Sequence, residues 1–409
     1  MKAWAYVAIG LAFTAIGYGW RDIKTGQPSN PAAWQRLAGV VDERKDSPDQ
    51  VFKSGYRLIR DNYIRPVKAD DLKFAGMQGL MAALGDPHTL FMPPSLAKRF
   101  SEETVGNFFG VGARLSADPM GAKAVNVFEG APAWNAGMRP NDVIIAVNGK
   151  KVTGIPTDDI VTQVKGPENT IVNLTILRSG AAKPLEFRIK RGRITTPTVE
   201  SKVLEGTKIG YLSVSNFAEP TADQFDKELN RLDAKGVTGL VIDLRGNPGG
   251  LLETAADMLS RFVENKTVLT MRKRDDEEVV RTYSGAVRPW PYPVAVLIDE
   301  NSASAAEIFA GVLRDYGLAK LVGTHSYGKA SVQNLYPLID RSSAKITIAK
   351  YYLPSGDFIG RKVDGDGVYV SGGLAPDILV ELDFDSDPVI GELKKDNQLA
   401  KAVELLEKK

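Results

Sequence analysis

Cysteine is absent from the 409 residues, and histidine occurs only at His88 and His325. A zinc site built from thiolate and imidazole is therefore nearly excluded, as are a thiol nucleophile and a disulfide framework. Covalent catalysis, if there is any, must rest on Ser, Thr, Lys, Asp or Glu. Charge of one sign is also lacking: 52 basic residues face 50 acidic ones, for a net charge of +2. No whole-protein basic field attracts nucleic acid. Beyond the N-terminus no long apolar run occurs, which excludes a polytopic membrane protein. With 43% hydrophobic and 25% charged residues the chain has the composition of a folded globular protein, not a disordered one. At about 150 residues per domain the length suggests two or three domains.

The exception is residues 3–20, AWAYVAIGLAFTAIGYGW, which carry no charge and lie between Lys2 and Arg21. The stretch falls between a signal-peptide core of roughly 7–15 residues and a spanning helix of about 20. We read residues 1–25 as a signal peptide or an N-terminal membrane anchor, hence an exported protein. Gly17 and Gly19 form a weak small-x-small cleavage site. Residues 26–48, polar and holding Pro28 and Pro31, read as a linker.

Val51, Phe52, Tyr56, Leu58, Ile59 and Tyr63 recur at near-helical spacing, as do Met77, Leu80, Met81 and Leu84, with Gly85 placed to stop the second helix. DPHTLFMPP at 86–94 is a turn-rich exit. Residues 49–102 thus form an N-terminal helical region. From 103 to 195 the texture becomes β-rich: GVGARL, AVNVF, DVIIAVNG, IVNLTILR and LEFRIKR read as strands, APAWNAGM and TDDIVTQVKG as helices. From 196 to 385 strands and helices alternate, which predicts an α/β layer with helices packed on a sheet. Residues 386–409 end in NQLAKAVELLEKK, which reads as a surface helix.

Ligands of open α/β sheets gather at the carboxyl ends of strands, and three strand ends here carry unusual residues. At DLRGNPGG, 243–250, two glycines before a helix leave backbone N–H groups open to an incoming oxygen, as an oxyanion hole requires; a plain turn and cap explains them equally well. At ENSASAAEI, 300–308, Ser302 and Ser304 fit helix caps, or one of them fits a nucleophile. At VGTHSYGKASVQ, 322–333, Lys329 follows a glycine. Burial would lower its pKa from about 10.4 to roughly 7–8, where an amine works as a general base; a solvated surface lysine is the plainer alternative.

Rival motifs in the third segment fail. Gly323, Gly328 and Lys329 fit the phosphate loop GxxxxGK, but Ala330 stands where a magnesium-binding Ser or Thr is needed. Ser326 and Lys329 match SxxK, as do Ser95 and Lys98, and the companion motifs are missing or out of order. His325 has no identifiable acid to complete a triad, and His88 reads as a turn residue.

Taken in order, these segments resemble the C-terminal processing, or tail-specific, proteases: serine peptidases with a PDZ domain and a Ser–Lys catalytic pair. The resemblance runs from about residue 50 to the C-terminus and rests on DPHTLFMPP, GVGARL, GAPAWNAGMRPNDVIIAVNG, VKGPENTIVNLTILR, GYLSVSNF, LVIDLRGNPGG, NSASAAEI, VGTHSYGKASVQ, KYYLPSG and GLAPDI. It implies a multidomain α/β (α+β) fold: a crotonase-like protease core at 196–385 with an inserted PDZ-like β-rich domain at 103–195. By position it assigns the nucleophile to Ser304, the base to Lys329 and the residue orienting that base to Gln333. The oxyanion hole falls on the amides of Ala305 and Gly250. No metal or cofactor is implied. Ala306 and Ala330 replace a Ser and a Gly common in the family, and Ala330 raises the question of a glycine-only conformation.

In the PDZ-like module the loop Gly110, Val111, Gly112 and Ala113 would bind a substrate's terminal carboxylate beside an open strand edge. The expected partners are proteins with unstructured, apolar C-terminal tails, with room for an adaptor or lipoprotein. Nucleic acid is not expected, and the N-terminal helix allows membrane association. Two other functions compete. One is a PDZ scaffold with an inactive protease domain, disfavoured by the joint presence of Ser304, Lys329 and Gln333. The other is a crotonase-like acyl-transforming enzyme, disfavoured by the PDZ-like insertion and the Ser–Lys spacing.

Overall fold

A computed structural model describes residues 47–282, 290–365 and 369–408. The N-terminal apolar stretch and most of the linker lie outside the described residues. The chain divides into two compact units, Met1–Gly79 and Leu80–Lys409. Helices α1 (Pro48–Asn62) and α2 (Ala69–Ala82) form the described start, and neither buries a residue. The predicted helical stripe is present on α1, yet Val51, Phe52, Leu58, Ile59 and Tyr63 are all exposed.

In the large unit, β1 (Leu90–Met92) leads into α3 (Pro94–Val105), which starts at Pro93–Pro94 and stops at Gly106 in the left-handed region, φ 64°. The β-rich module follows: β2 (Asn107–Gly110), β3 (Ala113–Asp118), β4 (Gly121–Val127), α4 (Pro132–Asn135), β5 (Val143–Val147), β6 (Lys150–Lys151), α5 (Thr157–Val164), β7 (Ile171–Leu177), β8 (Leu185–Lys190) and β9 (Gly192–Thr195). Its antiparallel sheet runs β3-β4-β5-β7-β8, with β6 on β5. Alternate residues Val172, Leu174 and Ile176 point inward with Ile144, Ile160 and Met138 to form a separate core. The pairing of β2 with β9 closes the module where the chain enters and leaves it.

The α/β region comprises β10 (Val199–Val203), β11 (Ile209–Val214), α6 (Thr221–Ala234), β12 (Gly239–Asp243), α7 (Leu252–Leu259), β13 (Thr267–Lys273), β14 (Glu278–Thr282), β15 (Val294–Ile298), α8 (Ala305–Asp315), β16 (Ala319–Gly323), β17 (Ser331–Pro337), β18 (Ser343–Tyr352), β19 (Lys362–Val363), β20 (Tyr369–Ser371), β21 (Ile378–Leu379) and α9 (Asn397–Glu407). Six strands form one sheet in the order β10-β11-β12-β15-β16-β21; β10 is antiparallel and the other pairings are parallel. Every residue of β12 and β15 is buried, as expected of central parallel strands covered on both faces. Leu240 and Ile242 face α6, α7 and α8, while Val241 faces α9.

Two features depart from the sequence reading. The C-terminal helix is no surface helix: Gln398, Leu399, Ala402 and Val403 of α9 are buried against the sheet. Its charged side chains disguised a narrow apolar stripe. A second antiparallel sheet was also not foreseen. It runs β1-β18-β13-β14, with β17 on the other side of β18. Apart from short β1, its strands are largely half-exposed or exposed: β13, β14 and β18 mix charged with apolar residues and β17 mixes Ser, Gln and Asn with them, so their alternation is blurred.

Candidate active site

Strands β12, β15 and β16 are parallel neighbours, so the three segments after them emerge at one edge of the sheet. Backbone bonds join these segments. The Ala303 amide donates to the Asn247 carbonyl at 2.9 Å, and the Tyr327 amide to the Ser302 carbonyl at 3.0 Å. Asn247 is fully buried; its side-chain nitrogen donates to Val214 O at 2.7 Å and its oxygen accepts from the Gly249 amide at 2.8 Å. Ser302 is also fully buried, with its hydroxyl on Leu244 O at 2.8 Å. It is part of the scaffold and unavailable as a nucleophile.

Ser304 stands at the N-cap of α8 with φ 56° and ψ −116°, a strained conformation for a residue with a Cβ. The helix behind it resists relaxation, since every residue from Ala305 to Leu313 is buried. Phe309 packs its ring 5.9–6.0 Å from those of Phe217, Phe225 and Phe262. The glycine turn comes very close. A Cβ on Gly249, whose φ is +96°, would lie 2.8 Å from Ser304 Cβ and 2.9 Å from the Ala305 nitrogen. One on Gly250 would lie 2.3 Å from Phe217 O. Phe217 bonds to Gly249 O and the Leu251 amide, so the Gly250 amide faces away from it. Among the described residues no protein acceptor takes the Gly250 or Ala305 amide.

A residue that the sequence reading passed over ties serine to lysine. Glu307, fully buried, accepts from the Ser304 amide at 2.7 Å and the Lys329 amide at 2.9 Å through one oxygen. Its other oxygen accepts from the Gly328 amide at 2.6 Å and the Ser326 hydroxyl at 2.5 Å. Burial raises the Glu307 pKa, and the four donors oppose the rise. The signal was visible: Glu three residues after a capping Ser is the capping-box spacing. Ser326, buried and bound also by the Leu374 amide, is a strut of the same network.

Lys329 is half-buried, and its pKa falls to about 8, first through desolvation and then through the charge of Lys345; Glu307 and Asp86 pull the other way. The fully buried Tyr351 donates to Lys329 O at 2.5 Å. Ala330 is buried and has no positive φ, so alanine fits where a glycine is common. The Gln333 amide nitrogen is bound to Ser331 Oγ at 2.8 Å and Thr347 Oγ1 at 3.2 Å, and no hydrogen bond joins it to Lys329. A cavity of about 460 Å³ is lined by Lys329, Ala303, Pro248, Gly246, Asn301, Tyr327 and His88. His325 is exposed and does not line it.

Residues 208–380 match the model of peptidase family S41, and residues 124–178 match that of the PDZ domain. The carboxy-terminal processing protease CtpB of Bacillus subtilis (strain 168) is 36% identical over 334 residues, 81% of this chain and 69% of that protein. The chain belongs to the S41 family of C-terminal processing proteases. A CtpA-like serine protease of Staphylococcus aureus (strain COL) is 32% identical over 349 residues, 85% of this chain and 67% of that protein. An S41 protease structure from Bacteroides fragilis NCTC 9343 shares the fold, with TM-score 0.50 and 16% identity over 86% of this chain and 96% of that one. The protein is thus a serine-type C-terminal processing peptidase of mixed α/β architecture with a PDZ domain, and its substrates are proteins.

Within the PDZ module of this S41 peptidase, Gly110 ends β2, Val111 is buried and Gly112 has φ +82°. A Cβ on Gly112 would lie 2.3 Å from Ala131 Cβ. The Val111 and Gly112 carbonyls accept from the Ala133 and Phe128 amides. Among the described residues β3 pairs only with β4, and α5 packs beside it, which leaves an open edge flanked by a helix. Lys165, just past α5, reaches out of the module to Glu102 of α3 at 2.7 Å. A second cavity, about 480 Å³, is lined by Phe128, Glu129, Ala131 and Arg193 among others, and not by residues 110–113. No helix among the described residues is long and apolar enough to cross a membrane.

Proposed function

We propose that this peptidase cleaves by a Ser304–Lys329 mechanism. Neutral Lys329 takes the proton of Ser304 Oγ as that oxygen attacks the scissile carbonyl carbon. The amides of Ala305 and Gly250 hold the developing oxyanion, an interaction whose loss typically costs about 10²–10³ in rate. The lysine then gives its proton to the departing amine, and water hydrolyses the acyl-enzyme with Lys329 again as base. Gln333 is the assigned orienting residue. Its amide nitrogen bonds to Ser331 and Thr347 here, so a direct hold on Lys329 requires a different arrangement of that side chain.

The observation that carries this reading is the Glu307 carboxylate, which bonds both the Ser304 and the Lys329 amides beside one cavity. A lysine with a pKa of about 8 suits the base role. We further propose that the loop Gly110, Val111, Gly112 and Ala113 and the open β3 edge receive unstructured, apolar C-terminal tails by strand addition. The apolar N-terminus supports export, with the enzyme free or anchored outside the cytoplasm, and an adaptor could deliver substrates there. The test uses an unfolded protein with an apolar tail. Wild-type enzyme should cleave it, and Ser304→Ala and Lys329→Ala should each lose about 10³-fold or more. Cleavage by Ser304→Ala at the wild-type rate would sink the reading.

A further inference from the structure

The cavity that Lys329 lines contains an ionisable ring that the Ser–Lys scheme leaves without a task. His88 lines it together with Lys329. The turn beneath His88 is firmly fixed. Asp86 accepts from the His88 amide at 2.9 Å and from the Thr89 hydroxyl at 2.7 Å. The Thr89 oxygen in turn accepts from the Thr347 amide of β18 at 3.0 Å, and β1 pairs with β18 immediately afterwards. The imidazole itself is half-buried, and among the described residues no protein group hydrogen-bonds either ring nitrogen. Burial, then the charge of Lys329, lowers its pKa; Asp86 opposes this and Lys345 adds to it. A neutral imidazole offers one donor and one acceptor nitrogen. Gly246, Pro248 and Ala303 line the same cavity, so His88 and Lys329 face one space beside the glycine turn and the start of α8.

We propose that the imidazole of His88 hydrogen-bonds the departing amine of the scissile peptide in the cavity it shares with Lys329. The proposal rests on the Ser304–Lys329 reading. When the tetrahedral intermediate collapses, the C–N bond breaks and its electron pair stays on nitrogen. The Lys329 ammonium gives that nitrogen the proton taken from Ser304 Oγ. The acceptor nitrogen of His88 holds the amine N–H, which turns the nitrogen lone pair toward Lys329. His88 is thus a catalytic residue for amide cleavage and idle for a leaving group that has no N–H and needs no proton.

The test compares a peptide with a p-nitrophenyl ester of the same acyl chain, using the full-length enzyme, His88→Leu and His88→Gln. His88→Leu should lower kcat/KM for the peptide about 10- to 100-fold, as expected for a lost hydrogen bond to a charged centre. The ester should stay within about threefold, and a fluorophosphonate should still label Ser304. His88→Gln, which keeps an acceptor, should recover part of the peptide rate. Equal losses for peptide and ester would assign His88 a purely structural role, and no loss for either would leave it no role; both outcomes overturn the proposal. Failure of the underlying reading would look different: Lys329→Ala would retain ester hydrolysis, or the wild type would not be labelled at Ser304.

Discussion

At the carboxyl edge of the six-stranded sheet, side chains hold the working segments. Glu307, Ser302 and Ser326 are buried and each bonds across from one segment to another, while the buried Asn247 ties its segment to Val214 at the end of β11. In the PDZ module, residues 110–113 are held by backbone bonds, by the buried Val111 side chain and by the close approach of Gly112 to Ala131, with no side-chain hydrogen bond among the described residues. The difference fits the two tasks proposed for these regions. A reacting centre needs its donors fixed before the transition state forms. A site that receives many tail sequences needs an open edge, and main-chain bonding there is indifferent to side chain.

The largest effect should come from cutting the side-chain tie. Glu307→Gln replaces an acceptor of four hydrogen bonds with a group that must present NH₂ to some of those donors. Activity should fall about 10³-fold and stability by roughly 3 kcal/mol, read by tail cleavage and denaturant unfolding. A fully active Glu307→Gln would mean that the two segments hold themselves. Gly249→Ala is next. The added Cβ collides with the Ser304 segment at 2.6–2.9 Å and the backbone is at φ +96°. We expect about 10²-fold loss of kcat, with the PDZ module still binding a tail peptide. Gly112→Val sharpens the other side of the comparison. It should raise KM for tailed substrates about tenfold and leave kcat for a short untailed peptide unchanged. An equal loss on both substrates would show that the two modules are not separable.

The alternation of apolar strands and amphipathic helices made the α/β layer legible in the sequence, because β15 is apolar throughout and β12 is apolar up to its last residue, Asp243. Strands β13, β14, β17 and β18 were not, since their partly exposed faces mix charged or, in β17, uncharged polar residues with apolar ones. The hidden face of α9 was missed for a similar reason: four buried residues are scattered among charged ones. At the site, strand-end glycines and a lysine after glycine pointed to the carboxyl edge of the sheet, and the family resemblance singled out Ser304 and Lys329. Glu307 read as an ordinary helix residue, although its capping-box spacing from Ser304 was in view. His88 could not be placed, because β1 joins the second sheet through a partner more than 250 residues away, Lys345 opposite Leu90. Long-range pairing of that kind leaves no local trace.

The central claim is that Lys329 is the base that activates Ser304. The most direct measurement is the rate of fluorophosphonate labelling at Ser304 between pH 6 and 10. Lys329 works as the neutral amine, so labelling should be slow below its pKa and level off above it. With a pKa of about 8, the active fraction rises from about a tenth at pH 7 to about nine-tenths at pH 9. The account predicts that sigmoid in the wild type and its disappearance, together with most of the rate, in Lys329→Met. A flat profile, or one that survives Lys329→Met, would contradict it.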